Sequence, residues 1–533
     1  MPSRLPADLP HLGRSGSRAA HLHNRAETPA TDLKLFAYHR FLVLRWIGTV
    51  GALLIGVGGL GAGALPVVNN PYGKAPLGDL MARMLQTSSS IVLIGAGLIV
   101  LAWLIMSRYV GAASVHVRDL AATFLCWSLP IALTAPLFTQ DIYSYLAQGS
   151  IVAHGMDPYS AGPVQLLGAE HHLARSVPFI WAESPSPYGP VALGLSALVS
   201  VITNDSIVLG VLAHRALSLA GIASCAWAVL QLSRRCGVRP TTALWLGILN
   251  PLTLLHLVGG IHNEAVMLGL ALVGLELGLR GVDKVTYHTR PLGFGLIALG
   301  GVLITCAGLV KVTGFIGLGF LGMALARKFS RMGRPAVVAI GVSASAMACV
   351  LALTVAAVTA ITGIGLGWIT GQGGAATIRS WMSITTDIGV ISGFFAMLLG
   401  LGDHTEAILS ITRLVGVLIA GGFVVRMLFA VYRGAIHPVG GLGVGTFVLV
   451  ILFPVVHPWY LLWAIIPLAT WANRAFFRVA VMAYSAAMSF FVLPRGLALP
   501  AATVGTIYVG AAIAGGLIMI AGWWLFRRKS IIT

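Results

Sequence analysis

Residues 336–361 read AVVAIGVSASAMACVLALTVAAVTAI, a run without one charged side chain. At a rise of ~1.5 Å per residue such a helix exceeds the ~30 Å hydrocarbon core of a bilayer. Inside hydrocarbon every backbone N–H and C=O must pair within its own segment, so the run reads as a membrane-crossing helix. Outward from it in both directions the pattern recurs, and fourteen apolar runs fall between residues 46 and 526. The 533-residue chain is 57% hydrophobic and only 9% charged, against roughly 25% charged in a soluble domain. That balance excludes a soluble enzyme and leaves no polar stretch long enough for a separate soluble domain. The net charge of +18 would suggest nucleic acid in a soluble protein. Here the basic residues sit in short clusters between apolar runs, as the positive-inside rule requires, and nucleic acid is not an expected partner. Cys126, Cys225, Cys236, Cys306 and Cys349 stand singly, without C-x-x-C spacing, which argues against disulfides and a thiolate metal site.

The ends and two short pieces set the topology. Residues 1–45, rich in Arg, His, Pro and Ser, are expected to be a disordered cytoplasmic tail with no signal core, and 527–533 a basic cytoplasmic tail. The pieces 189–203 and 388–402 are apolar but near or below crossing length. With both re-entrant, the clusters around Arg108, Arg234, Arg280, Arg327, Arg426 and Arg474 all fall on the cytoplasmic side of a fourteen-span bundle. With both crossing, sixteen spans result and the block between them inverts.

The fourteen-span arrangement sorts the sixteen carboxylates to the two faces and puts none at mid-membrane, which counts against a proton-coupled carrier. The longest polar segment after the tail is the outer loop 138–190. It combines carboxylates with Tyr143, Tyr145, Tyr159, Trp181 and Tyr188, the mixture a sugar site uses, although aromatic residues also collect at the headgroup level of any membrane protein. Within it Asp141 lies one helical turn past the end of an apolar run. A carboxylate there can accept a proton from a hydroxyl whose reaction partner is carried by a lipid, and can equally cap a helix over Ile142–Val152. Asp157, before Pro158, reads as a turn residue.

A second polar cluster, Gly259–Gly260–Ile261–His262–Asn263–Glu264, makes a tight outer turn without recognised metal spacing. Lys311 interrupts an apolar stretch at its outer end, Arg379 and Trp381 lie in the outer loop 362–387, and His457–Pro458–Trp459–Tyr460 forms another outer turn. Cations in these turns suit a phosphate, with snorkelling at the interface as the competing account.

The segments DIYSYLAQG (141–149), DPY (157–159), SPYGP (186–190), NPL (250–252), GIHNE (260–264), RSWMS (379–383), LGDHT (401–405) and PWYLLW (458–463) resemble, in order from about residue 40 to 480, the MptB-type polyprenol-phosphate-mannose-dependent α-(1→6)-mannosyltransferases of mycobacteria and corynebacteria. The resemblance implies an all-α polytopic membrane protein with a GT-C-like bundle of about 14 transmembrane helices, in the plasma membrane, with its active site at the extracytoplasmic face. It further implies a polyprenyl-phosphate-mannose donor, a lipid-linked mannan acceptor, and inverting transfer to the acceptor's 6-hydroxyl that builds the α-(1→6)-mannan core of lipomannan and lipoarabinomannan. Asp141 then takes the position of the early-loop carboxylate and acts as general base. Substrate contacts are expected from Tyr143, Tyr145, Tyr188, His262, Asn263, Glu264, Lys311, Arg379, Trp381, His457, Trp459 and Tyr460. The related pattern often has His-Asn-Asp where this chain has His262–Asn263–Glu264. No cofactor and no metal are expected. A flippase of polyprenyl-linked sugar is the alternative function and a noncatalytic assembly subunit a third; neither needs a base at Asp141.

Overall fold

The computed structural model describes residues 34–529 apart from 67–69, 113, 286–289, 372–378 and 381, and among these the regular structure is entirely helical. The first helix, Lys34–Ala62, begins well before the apolar run at 46, so the disordered tail expected over 1–45 does not extend that far. Its polar end is tethered: the Tyr38 hydroxyl donates to Asp119, and Arg45 donates to the Thr123 hydroxyl and the Asp119 carbonyl.

Among the described residues nine helices are long and apolar enough to cross a membrane by length and composition, and four more apolar helices, including Pro190–Thr203 and Ile384–Leu398, are shorter. Three of the fourteen expected runs are shortened or broken, with a proline in or beside each. The run 120–137 becomes Val117–Ala132 with Pro130 inside it, and 460–472 is reduced to Leu462–Trp471 after a tight turn at Pro458–Leu461. The run 241–257 stops after Pro240–Gly247 and resumes as a wide-turn helix, Thr253–Gly259. Pro251 has no N–H to give and disfavours helix at the residue before it. Buried Asn250 makes up the deficit: its side chain donates to the Leu246 carbonyl and the Ser485 hydroxyl and accepts from the Leu252 N–H.

The two ends of the bundle differ in charge. At one end the clusters around Gly111, Arg235, Glu276 and Asp283, Arg327, and Gly434 to His437 meet. Arg235 pairs with Glu276 and Asp283, Arg239 donates to the Gly111 carbonyl, the Ser330 and Tyr432 hydroxyls are hydrogen-bonded, and Cys236 lies against His437. At the other end lie the segments on either side of Asp141, the turn at His262, Lys311 and the turn at His457.

The helix Pro190–Thr203 is about 21 Å long at ~1.5 Å per residue, short of the bilayer core. It runs parallel to the buried helix Asp141–Ala153, so close that a Cβ on Gly149 would sit 2.4 Å from the Ser196 carbonyl oxygen. Both then end together: Asp205 accepts from the Ser150 and Ser200 hydroxyls, and His172 from the same loop donates to the Asp205 carbonyl. The turn at Asn204–Asp205 thus stays with the 138–190 loop. The next helix, Ile207–Arg235, starts there and ends among the basic clusters.

Candidate active site

Asp141 opens the helix Asp141–Ala153, and the capping position belongs to Gln140, so the carboxylate is released from the cap role that the sequence allowed. The approach to it is pinned by backbone hydrogen bonds from Leu137 to the Gly259 carbonyl and from Phe138, at φ 65°, to the Pro494 carbonyl. From this start Asp141, Ser144, Tyr145 and Gln148 project along one helix face at the i, i+3, i+4, i+7 spacing and line a cavity of about 300 Å³, large enough for a small ligand. Tyr188 and Trp181 come to the same cavity from the far end of the loop. Gly189 allows this, since a Cβ there would meet the Leu309 carbonyl at 2.2 Å, and the Val191 N–H donates to that same oxygen.

The opposite wall carries the second polar cluster. Ile261 sits at φ 58°, a left-handed conformation that a β-branched residue rarely adopts. Strain of this sort persists where the surroundings over-determine it, and here Ile261 is packed with Ile142, Tyr145 and Leu146. The result presents His262 to Asp141, Nδ1 to Oδ2 at 3.7 Å, while Trp181 Nε1 approaches Oδ1 at 3.3 Å. His262 stacks on Trp459 with centroids 4.0 Å apart, and Trp459 stacks in turn on His457 at 4.6 Å. Lys311 donates to Glu264 at 2.7 Å and to the Tyr460 hydroxyl at 3.2 Å, with its ammonium 4.3 Å from the Tyr460 ring centroid. Cation and carboxylate are thus held as one buried unit against an aromatic face.

The electrostatics divide the roles. The Asp141 side chain is 27% accessible and lines the cavity. Burial, and next the Glu264 charge, hold its carboxyl above the ordinary carboxylate range, against the pull of Lys311. Burial pushes His262 down to about 3 and His457 to about 4. Both imidazoles are therefore neutral near pH 7, and neither serves as the cation that the sequence allowed for a phosphate. Three buried polar atoms of the lining have no partner in the protein: Ser144 Oγ, His262 Nε2 and Trp459 Nε1. Buried polar groups are rarely left so, and hydroxyl-rich ligand atoms suit all three.

Of the residues expected from sequence, Asp141, Tyr145, Tyr188, His262, Glu264, Lys311, His457, Trp459 and Tyr460 line this one cavity. Four do not. Tyr143 points from the other face of its helix into the core, its hydroxyl on the Ala64 carbonyl at 2.6 Å. Asn263, next to His262 in the turn, faces a small separate void between Pro190–Thr203 and Ile207–Arg235. Arg379 is half exposed and pairs with Glu406. Trp381 lies outside the described residues. Among the described residues no three His, Cys, Asp or Glu side chains converge closely enough to hold a metal ion.

Sequence reading missed Ser144 and Gln148, although their helical spacing from Asp141 was visible. It also missed Arg215, which lies wholly buried in mid-helix. Its guanidinium donates to the carbonyls of Ala132, Thr134 and Ala135 on one side and of Val258 and Gly259 on the other. One side chain thus clamps together the strands of chain that lead into Asp141 and into His262.

Comparison with known proteins gives two family matches. The profile described as alpha-(1->6)-mannopyranosyltransferase, N-terminal domain, matches residues 45–327, and the MptB C-terminal domain matches 385–528. Alpha-(1->6)-mannopyranosyltransferase B of Corynebacterium glutamicum is 60% identical over 98% of this chain and 92% of its own length. An alpha-(1->6)-mannopyranosyltransferase of Mycobacterium tuberculosis is 40% identical, covering 85% of this chain and 82% of the relative. Alpha-(1->6)-mannopyranosyltransferase A of the same organism is 34% identical over 82% and 81%. No solved structure matches the chain.

Proposed function

Because the chain belongs to the alpha-(1->6)-mannopyranosyltransferase family, of the MptB type, we propose that it moves mannose from a polyprenyl-phosphate-mannose donor to the 6-hydroxyl of a lipid-linked mannan. The product is an extended α-(1→6)-mannan core of the lipomannan and lipoarabinomannan kind. The observation that carries the reading is Asp141: a carboxylate raised above its ordinary range, aimed into a cavity whose other wall holds a lysine and the unpartnered Trp459 N–H.

In the proposed step Asp141 takes the proton of the acceptor's 6-hydroxyl as the oxygen attacks the anomeric carbon of a β-mannosyl phosphate. The new C–O bond forms on the face opposite the phosphate, the bond to phosphate oxygen breaks, and the linkage formed is α. A raised carboxyl is the better base, since proton-transfer efficiency rises as its pKa approaches the working pH. Negative charge grows on the departing phosphate. Lys311 is the cation of the lining that can meet it, and Trp459 Nε1 supplies a neutral donor. Glu264 offsets the Lys311 charge and so lowers the cost of burying it.

Sidedness follows from charge. The positive-inside rule assigns the basic end of the bundle to the cytoplasm, which turns the cavity to the extracytoplasmic face of the plasma membrane and needs a donor whose sugar is already on that side. The test is purified protein supplied with polyprenyl-phosphate mannose and a short α-(1→6)-mannoside. A product one mannose heavier with an α-(1→6) bond is expected. An unchanged acceptor, or another linkage, overturns the reading.

A further inference from the structure

A second cavity lies at the basic end, remote from Asp141, between the helices Arg290–Gly308, Ile316–Arg331 and Ala336–Thr362. It has a volume of about 360 Å³, and apart from two arginines at its mouth the lining is apolar. Ile297, Leu325, Phe329 and Met347 form its buried floor, while Phe294 and Val342 at the sides are about 40% exposed. The groove narrows away from the mouth: a Cβ on Gly301 would stand 2.9 Å from Val350, so the first and third helices touch there. From Arg290 to Gly301 is about 16 Å along the helix at ~1.5 Å per residue, close to half of the ~30 Å hydrocarbon core.

The mouth is positive in two independent ways. Arg290 and Arg334 both line it, and among the described residues neither pairs with a carboxylate. Arg334 is folded inward, its guanidinium 5.1 Å from the Phe329 ring centroid. A helix also begins there, at Ala336 behind Pro335, and a helix N-terminus presents free N–H groups and a favourable dipole to an anion.

We propose that this groove binds one anionic phospholipid of the leaflet at the basic end, with an acyl chain along the apolar floor and the phosphate between Arg290 and Arg334. Basic pockets between membrane helices recognise acidic headgroups in this way. A zwitterionic lipid fills the same floor but brings its own cation to a mouth already carrying two, and a free phosphate has no use for the floor. The site is separate from the transfer chemistry and stands whether or not the donor is a polyprenyl phosphate.

Native mass spectrometry of the full chain in detergent tests it, with phosphatidylglycerol and phosphatidylcholine added singly. Phosphatidylglycerol is expected to be retained preferentially. Arg290→Ala with Arg334→Ala should weaken its retention roughly tenfold to thirtyfold, on the scale of two surface cations, and Arg290→Lys with Arg334→Lys should restore most of it. Ala346→Trp, which fills the floor and leaves both charges, should also displace the lipid, so the proposal does not hang on one variant. Equal retention of the two lipids, undiminished retention by the double alanine variant, or displacement of the lipid by millimolar inorganic phosphate would each overturn it.

Discussion

Replacing Asp141 with Asn separates base from scaffold. The structural contacts of this side chain are few: Oδ1 accepts from Trp181 Nε1 at 3.3 Å, and Oδ2 stands 3.7 Å from His262 Nδ1. An amide keeps the same shape and the same accepting oxygen. The charge that it removes is one that burial and Glu264 both disfavour, so the folded protein is relieved and not strained. Thermal unfolding of the variant should therefore occur at the wild-type Tm or above it. The amide cannot take a proton from a hydroxyl, and the loss of general-base action should lower turnover by about 10²- to 10⁴-fold. At ~1.36 kcal/mol per factor of ten that is ~2.7 to 5.4 kcal/mol of barrier. Because the hydrogen bond to Trp181 survives, the apparent KM for donor should stay within about threefold. The assay is transfer of labelled mannose from the lipid donor to a short α-mannoside, beside thermal unfolding of the same preparation. Turnover within tenfold of wild type, with an unchanged Tm, would refute the assignment; it is the result expected of a lipid-sugar flippase.

Glu264→Gln removes a negative charge that raises the Asp141 carboxyl and leaves the Lys311 charge less offset, and both changes lower it. The base works only when ionised, so activity falls as pH drops through that value; the acidic limb of the pH profile should move to lower pH, and a limb that stays put or rises contradicts the coupling. Arg215→Met withdraws donors from five buried carbonyls, of which Gly259 keeps the Leu137 N–H; each one left dry costs ~1–3 kcal/mol, with relief from burying a cation offsetting part. Tm should fall, and turnover below that Tm should drop more than tenfold, because small misplacements of reacting groups are expensive in rate; wild-type turnover in the folded variant would rule out a positioning role. Asn204→Cys, at the exposed turn held beside His172, should be labelled by a membrane-impermeant thiol reagent added outside intact cells. Protection there, with labelling only in inverted vesicles, would reverse the assignment of the two ends.

Fold class was legible in runs such as 336–361 because hydrocarbon imposes a single local solution, and a helix satisfies its backbone without reference to the rest of the chain. Where the helices break within those runs was not, since prolines at 130, 251, 458 and 467 act through local geometry that an average over apolar residues ignores. Asp141, His262, Lys311 and His457 stood out because polar groups are scarce in such a chain and their positions near span ends were visible in one dimension. Which of them share a cavity depended on contacts between segments far apart in sequence. Tyr143 and Tyr145 are the same residue type two positions apart, yet the helical turn sends one hydroxyl to the Ala64 carbonyl and the other ring to the cavity. Asn263 was lost for a like reason: the left-handed backbone at Ile261 aims His262 toward Asp141 and leaves the next side chain facing a different void. Arg215 looked like one more basic residue in an apolar run. Only the tertiary structure brings together the five carbonyls that hold it, since each is an ordinary backbone group until packing removes water from it.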